Sequence, residues 1–513
     1  MPSNKEVLTG HEVRMKIKAG VDKACDAVRP TLGAVGMTVM IESPGLDPIS
    51  ADDGVTVLRN LKFKDRYENM GLDMVRKSAV RTSEKGGDGT STATVLTQAL
   101  CTEAFKEIGN DSSKIREVIE RLDKGLAETL TTLSAIKREV SEEDIEKIAN
   151  ISSLDPEVAK LIADVIKEVG VNGVVTVEKG AQLGYSKEVV SGARFNRGFL
   201  SPYFINDPEN ERVVLNEPYI ILVDRKVSTN EQILGLINSI GTGKDILFIA
   251  DDVDGVALGT LAVNAQRGVA KIACVRNPYT ASPARDFLFD IASLTGATVI
   301  SEEKGMRLDE QTVAVCGRAE KVIVDKDSTT IIGGQVSQTR EDRIKAIKGQ
   351  IDGTTSEYQR SILKDRLAML TGGIGVIRVG AYTDTEYNAK RYKFQNAINA
   401  TQAALQEGIL AGGGIALLNT ALRVSESMFV HALSAPYKQM AKNAGMDDNP
   451  VQSFASMSFS GMDFKTKKHV DMFDVGIIDP FKVQRLALES AVAITKTLVG
   501  TEVGIVEEDA ETE

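Results

Sequence analysis

The sequence predicts a multidomain α/β protein in which mainly helical segments flank an inserted α/β segment. Three observations carry this. The chain has 513 residues, more than one hydrophobic core accommodates. Short, wholly apolar strands alternate with helical patterns only between about residues 190 and 375. On either side the apolar residues recur at helical spacing. With 42% hydrophobic and 26% charged residues, the composition is that of an ordinary globular protein.

Taken in order, residues 1–136 read as mainly helical, with a short β element in MTVMIE (37–42). KGGDGTSTATVL (85–96) opens a helix that runs from about 90 to 108. Ile115, Val118, Ile119, Leu122, Leu126, Leu130 and Leu133 then predict a long amphipathic helix over 114–136, which needs a large partner surface. In the middle, PYIILVD (218–224), DILFIAD (245–251), KIACV (271–275) and ATVIS (297–301) read as strands. Helices over 229–241, 255–266 and 284–294 lie between them. Continuous apolar strands joined by helices predict a parallel sheet covered on both faces. Two charged helices, 338–351 and 355–370, close the segment, and Gly192 and Gly373 near its ends are candidate hinge points. After 385 the chain is helical again: AINATQAALQEG ends at Gly408, and AGGG (411–414) opens a new apolar helix.

Several function classes are excluded. Cys25, Cys101, Cys274 and Cys316 form no C-x-x-C pair, so neither a zinc site nor a disulfide framework is expected. His11, His431 and His469 stand in no motif and read as surface residues. The net charge is −11 with no basic block, so nucleic acid is not an expected partner. No apolar run approaches the ~20 residues of a membrane span, and the start lacks an apolar signal core. A cytoplasmic protein without membrane contact is expected. The acidic EEDAETE end reads as a disordered, solubilising tail.

The chemistry-bearing stretch is GGDGTSTATVL. Helix N-termini attract anions because their first N–H groups are unpaired and the dipole is positive there. Gly86, Gly87 and Gly89 allow close approach, Thr90, Ser91 and Thr92 offer N–H and O–H groups, and Asp88 suits Mg²⁺. No G-K-[ST] is present, so this is not a Walker A loop. A well-capped helix explains the same residues. ADDGVTVLRN (51–60) adds Asp52 and Asp53 before a turn glycine, a pattern that is usually structural.

TLGAVGMTVMIE, ADDGVTVLRN, GGDGTSTATVL, RFNRGFLSPYFIND, ISEEKGM, DSTTIIGG, QEGILAGGGIALL and DVGIIDPFKV follow one another along the chain. In this order they resemble the group I chaperonins, the GroEL-like family, from about residue 5 to 505. The resemblance implies an equatorial domain (1–135 and 407–513), an intermediate domain (136–191 and 375–406) and an apical domain (192–374). It implies ATP binding with Mg²⁺ and K⁺. Thr31, Leu32, Gly33 and Ala34 would line the nucleotide with Asp52, Asp88 would hold Mg²⁺, and Gly89, Thr90, Ser91 and Thr92 would surround the phosphates. Gly413 and Asp479 would face the ribose, and Asp53 the γ-phosphate.

Three departures stand out. Ala34 replaces the family's proline, Asp463 and Phe464 replace an Asn-Ala pair at the adenine, and Asn396 replaces the carboxylate that positions the attacking water. An amide orients water but cannot take its proton. Slowed hydrolysis, or hydrolysis leaning on Asp53, is therefore expected. The resemblance further implies a client surface of Phe199, Tyr203, Phe204, Leu234, Ile237, Leu258, Ala262 and Val263. Unfolded or misfolded proteins would bind there, as would a lid co-chaperonin. It implies a homo-oligomeric, seven-membered ring with an intersubunit pair between Arg197 and Asp384, and a second hinge at Gly408. GMDDNPVQ (445–452), at the expected contact between rings, diverges from the family. Divergent members of this kind occur in bacterial viruses and reduced bacterial lineages. Two other readings stand beside this one: a ring that holds clients without turning over ATP, and a monomeric ATP-dependent enzyme, for which no catalytic base or substrate motif is evident.

Overall fold

The computed structural model describes residues 5–42, 48–51, 53–170, 173–180, 182–334, 338–354, 356–446 and 459–507. Asp52, the 447–452 part of the expected ring contact and the acidic tail from residue 508 lie outside these. The chain divides into two compact units, Met1–Ala163 with Asn388–Glu513, and Asp164–Tyr387.

The first unit is helical because its apolar stripes repeat at helical spacing. Helix Thr90–Ile108 contributes Leu96, Leu100 and Ala104 to a core that it shares with Ala487, Leu488 and Ala491 of helix Phe481–Gly500. The predicted amphipathic helix is Ile115–Ile136, and all seven periodic residues face that core. Helix Gly10–Val28 crosses helix Arg66–Gly86 backbone against backbone. A Cβ on Gly20 would lie 2.0 Å from the Glu68 carbonyl oxygen, so only glycine permits the approach. The MTVMIE element is strand Val39–Ile41, paired antiparallel with Ile49–Ala51. Strands Lys5–Thr9 and Val503–Glu507, which the sequence did not predict, pair antiparallel. At the second expected hinge, Gly408 has φ +90°, and Arg138 and Ile409 exchange two backbone hydrogen bonds of 2.8 Å beside it.

The second unit contains the predicted parallel sheet. Its order is Val299–Ile300, Tyr219–Val227, Asp245–Val253, Lys271–Arg276, and the short strand Gly317–Arg318 adds antiparallel to Tyr219–Val227. The strand centres are fully buried, as continuous apolar runs require. Helices Asn230–Ile240, Gly255–Gln266 and Ser282–Thr295 cover them with Ile233, Leu236, Leu261, Phe287 and Ile291. The charged helices are Gln338–Gly353 and Glu357–Thr371. Their charge is partly inward: Arg343 Nε and Arg366 Nε each lie 2.6 Å from a carboxylate oxygen of the buried Asp290.

A six-stranded mixed sheet was not anticipated. Its order is Val174–Lys179, Gly373–Gly380, Gly184–Phe195, Thr329–Ile332, Lys321–Val324, Val213–Asn216, and only the first two strands pair in parallel. Gly192 and Gly373 lie inside it, register-paired and with ordinary φ. A Cβ on Gly192 would meet Ile374 Cδ1 at 2.2 Å and the Ile331 carbonyl oxygen at 2.4 Å. At Gly192 the lack of a side chain serves close packing of the sheet.

Candidate nucleotide-binding site

The site is built around one helix start. Helix Arg66–Gly86 ends on Gly87 in the left-handed conformation (φ +82°), whose N–H bonds the Ser83 carbonyl. Asp88 follows, and Gly89 (φ +88°) is the N-cap of helix Thr90–Ile108. Having no side chain, Gly89 leaves the helix start uncapped. The N–H groups of Thr90, Ser91 and Thr92 meet no acceptor among the described residues. Asp88 does not cap it either: its Oδ1 accepts only from the Gly89 N–H, at 2.6 Å. The well-capped-helix explanation therefore fails, and a positive helix end stands open.

That end faces a cavity of about 660 Å³. Thr31, Leu32, Gly33, Ala34, Asp53, Asp88, Gly89, Thr90, Ser91, Thr92, Asn396, Gly413, Asp463, Phe464 and Asp479 all line it. The fold thus gathers every described candidate nucleotide residue from stretches hundreds of positions apart. Thr31 Oγ1 lies 3.0 Å from Ser91 Oγ. Asn443 Nδ2 donates to the carbonyls of Arg29, Pro30 and Leu32, fixing that wall. The turn there is closed by Gly36 N–H to Gly33 O and Met37 N–H to Pro30 O, so Ala34 keeps it without the family's proline.

Asp53 is the N-cap of helix Gly54–Asn60, its Oδ1 accepting from the Thr56 N–H at 2.8 Å. This leaves Oδ2 free of that bond. Asp88 is reached from the cavity, while protein crowds its other sides and raises its pKa; the Gly89 N–H opposes the rise and Asp53 adds to it. Asp479 is pushed up to about 6, first by burial and then by Asp88, against the lowering effect of Gln484. Gln484 Nε2 donates to Asp479 Oδ2 at 2.8 Å, and its own Oε1 is a buried acceptor without a partner. Three carboxylates that repel one another are a site arranged for a cation or hydrogen-bond donors. Among the described residues no cluster of three or more metal-ligating side chains exists. The donor chemistry present, Asp88 and Asp53 beside an open helix end, is the kind Mg²⁺ uses, which takes one or two carboxylates and completes its shell with phosphate oxygens and water.

At the other end, Asp463 accepts from Lys465 N–H (2.9 Å) and Thr466 Oγ1 (2.6 Å), capping its own turn. Phe464 is buried edge-on against Tyr437, with ring centroids 5.2 Å apart. Asn396, on helix Asp384–Glu407, is half-buried, and its amide makes no hydrogen bond among the described residues. Sequence reading missed Lys147, Asn150, Met440 and Gln484, which also line the cavity.

In the second unit, Tyr203 (60%), Leu234 (44%) and Val263 (43%) are exposed, as is Val256, which the sequence reading had not included. Phe199, Ile237 and Leu258 are half-buried against the core. Phe204 (2%) and Ala262 (7%) correct the expectation, being core residues that offer no surface. Phe204 ends a 3₁₀ turn that rolls its ring inward, and Ala262 follows Leu261 on the buried helix face. Asp384 pairs with Lys179 of its own chain, and Arg197 makes no ion pair among the described residues. No helix among the described residues is long and apolar enough to cross a membrane.

A family model described as the TCP-1/cpn60 chaperonin family matches residues 25–508. Among solved structures, the chain is similar to the chaperonin gp146 from the bacteriophage EL 2 (Pseudomonas aeruginosa), crystallised in the presence of ATP-BeFx. In crystal form II the identity is 19% and the TM-score 0.75, covering 98% of this chain and 99% of that one. In crystal form I the identity is 20% and the TM-score 0.66, with the same coverage. With its family match running through almost the whole length and its fold that of a GroEL-like chaperonin, this chain belongs to the TCP-1/cpn60 chaperonin family.

Proposed function

We propose that this chain is an ATP-driven ring chaperone that captures non-native polypeptides on an apolar apical surface and encloses them for folding. The uncapped helix start at Thr90, opening with Asp88 into an acidic cavity, is the observation that carries the nucleotide reading. The phosphates lie against Gly89–Thr92, and Thr31–Ala34 form the adjoining wall. Asp479 accepts from the ribose hydroxyls beside Gly413, and Asp463 and Phe464 bound the base. Asp88 would hold Mg²⁺, with K⁺ nearby; the divalent ion neutralises charge on the phosphates.

Hydrolysis is slowed. Asn396 orients water by hydrogen bonding but accepts no proton, and Asp53 is the remaining carboxylate near the γ-phosphate. Because positioning and charge stabilisation supply most of phosphoryl transfer, turnover persists at a reduced rate. The test is steady-state ATPase of the purified chain beside Asn396→Asp. A rise of about tenfold or more is expected, less than the roughly hundredfold or greater worth of a general base elsewhere because positioning and charge stabilisation carry most of phosphoryl transfer. An unchanged rate would remove Asn396 from this role.

The client surface is the exposed set Tyr203, Leu234 and Val263, widened by the half-buried Phe199, Ile237 and Leu258. Exposed apolar patches mark binding, and non-directional burial suits many partners. Raising the apical domain on ATP binding withdraws this surface. The ring has seven subunits joined head to tail, closes with a separate lid co-chaperonin and works in the cytoplasm. Its domains are equatorial (1–135, 407–513), intermediate (136–191, 375–406) and apical (192–374). A second reading, a holdase ring with negligible turnover, is favoured by the missing carboxylate at 396; ATP-dependent loss of a bound client separates the two.

A further inference from the structure

The charges of the nucleotide cavity are unbalanced. Its described walls carry four carboxylates (Asp53, Asp88, Asp463 and Asp479) against two lysines, Lys147 and Lys465, with no arginine or histidine. A nucleotide adds several more negative charges. Of the two lysines, Lys465 is exposed. Lys147 is half-buried on helix Glu142–Ser153, where Lys147, Asn150 and Ile151 recur at i, i+3 and i+4 and all line the cavity.

Two contacts hold the Lys147 side chain in place. Its stem lies against Gly476, where an added Cβ would be 3.1 Å from Lys147 Cγ. Its Nζ donates to the Phe473 carbonyl at 3.2 Å. That neutral acceptor engages one of three N–H donors, and Lys147 makes no ion pair among the described residues. A structural lysine would be expected to neutralise a carboxylate; this one is positioned but uncompensated, beside an acidic cavity.

We propose that Lys147 binds a phosphate oxygen of the nucleotide, supplying a half-buried cation to the acidic walls. The inference rests on the nucleotide reading above and names a residue for it that no motif announces. A charge-assisted bond of this kind also ties helix Glu142–Ser153 to the ligand.

The experiment is calorimetric titration of the full chain with ATP, ADP and adenosine, comparing wild type with Lys147→Gln, Lys147→Arg and Lys465→Gln. Lys147→Gln should weaken ATP and ADP by about tenfold, in the range of one charged hydrogen bond. It should leave adenosine within about twofold, since adenosine has no phosphate. Lys147→Arg should keep most of the affinity, and Lys465→Gln should change little. Three results would overturn the proposal: ATP affinity untouched by Lys147→Gln, adenosine weakened as much as ATP, or the larger loss falling on Lys465→Gln. If wild type binds no ATP, the nucleotide reading itself fails and this proposal with it. Any of the first three in a wild type that binds ATP removes Lys147 alone.

Discussion

Gly89 shows how much of the site one residue carries. Its φ of +88° disfavours any side chain, and an added Cβ would lie 2.5 Å from Val483 Cγ1. Gly89→Ala should therefore destabilise the chain by about 2–4 kcal/mol, adding left-handed strain to overpacking. Thermal unfolding checks this. Adding Val483→Ala should recover the steric part and leave the backbone part, whereas full recovery would mean that the left-handed conformation is not required. At this scale Gly89, Asp88 and the hydroxyl run were legible as residues that line one cavity, because they stand together in sequence. Lys147 was not, since a lysine on a charged helix face reads as a solvated residue. Phe204 was misread for the converse reason: FLSPYF shows apolar residues in a row and cannot say which ring turns inward.

Among the elements, helix Ser427–Asn443 begins at an ion cluster rather than a simple cap. Glu426, its N-cap residue, is buried and bonds Arg121 Nε and Lys124 Nζ, both at 2.9 Å. Burial alone would raise the Glu426 pKa, but the bonds from Lys124 and Arg121 outweigh it and the pKa falls below 4.5. A depressed acid stabilises the fold above its unfolded pKa, and that stability is lost as pH falls through the folded value. Glu426→Gln should thus lower stability by about 1–3 kcal/mol near pH 7. The deficit should shrink at a pH below the folded pKa, where wild type loses the same charge. Denaturant unfolding at the two pH values checks this, and an equal deficit at both would exclude the ionic contribution. The parallel sheet was legible because its strands are continuous apolar runs on both faces. The six-stranded sheet was not: Gly184–Phe195 has mostly exposed or half-buried residues, and its neighbours arrive from more than a hundred positions away.

For the whole molecule, the order of motifs gave the family, while periodicity gave only a helical chain around an α/β insert. The central claim is that nucleotide held at the Thr90 helix start governs whether the apolar surface around Leu234 and Val263 keeps its client. It joins the residues of one unit to a surface of the other, and a coupling of this kind is a difference in ligand affinity between two states. Sedimentation of the full chain carrying a fluorescently labelled, misfolded polypeptide, with and without ATP, measures it directly. The account predicts a particle several times heavier than the 55.3 kDa chain, with the label co-sedimenting without nucleotide and leaving or becoming enclosed when ATP is added. A 55.3 kDa monomer, or a ring whose client is equally held and equally protease-sensitive at saturating ATP, would contradict it.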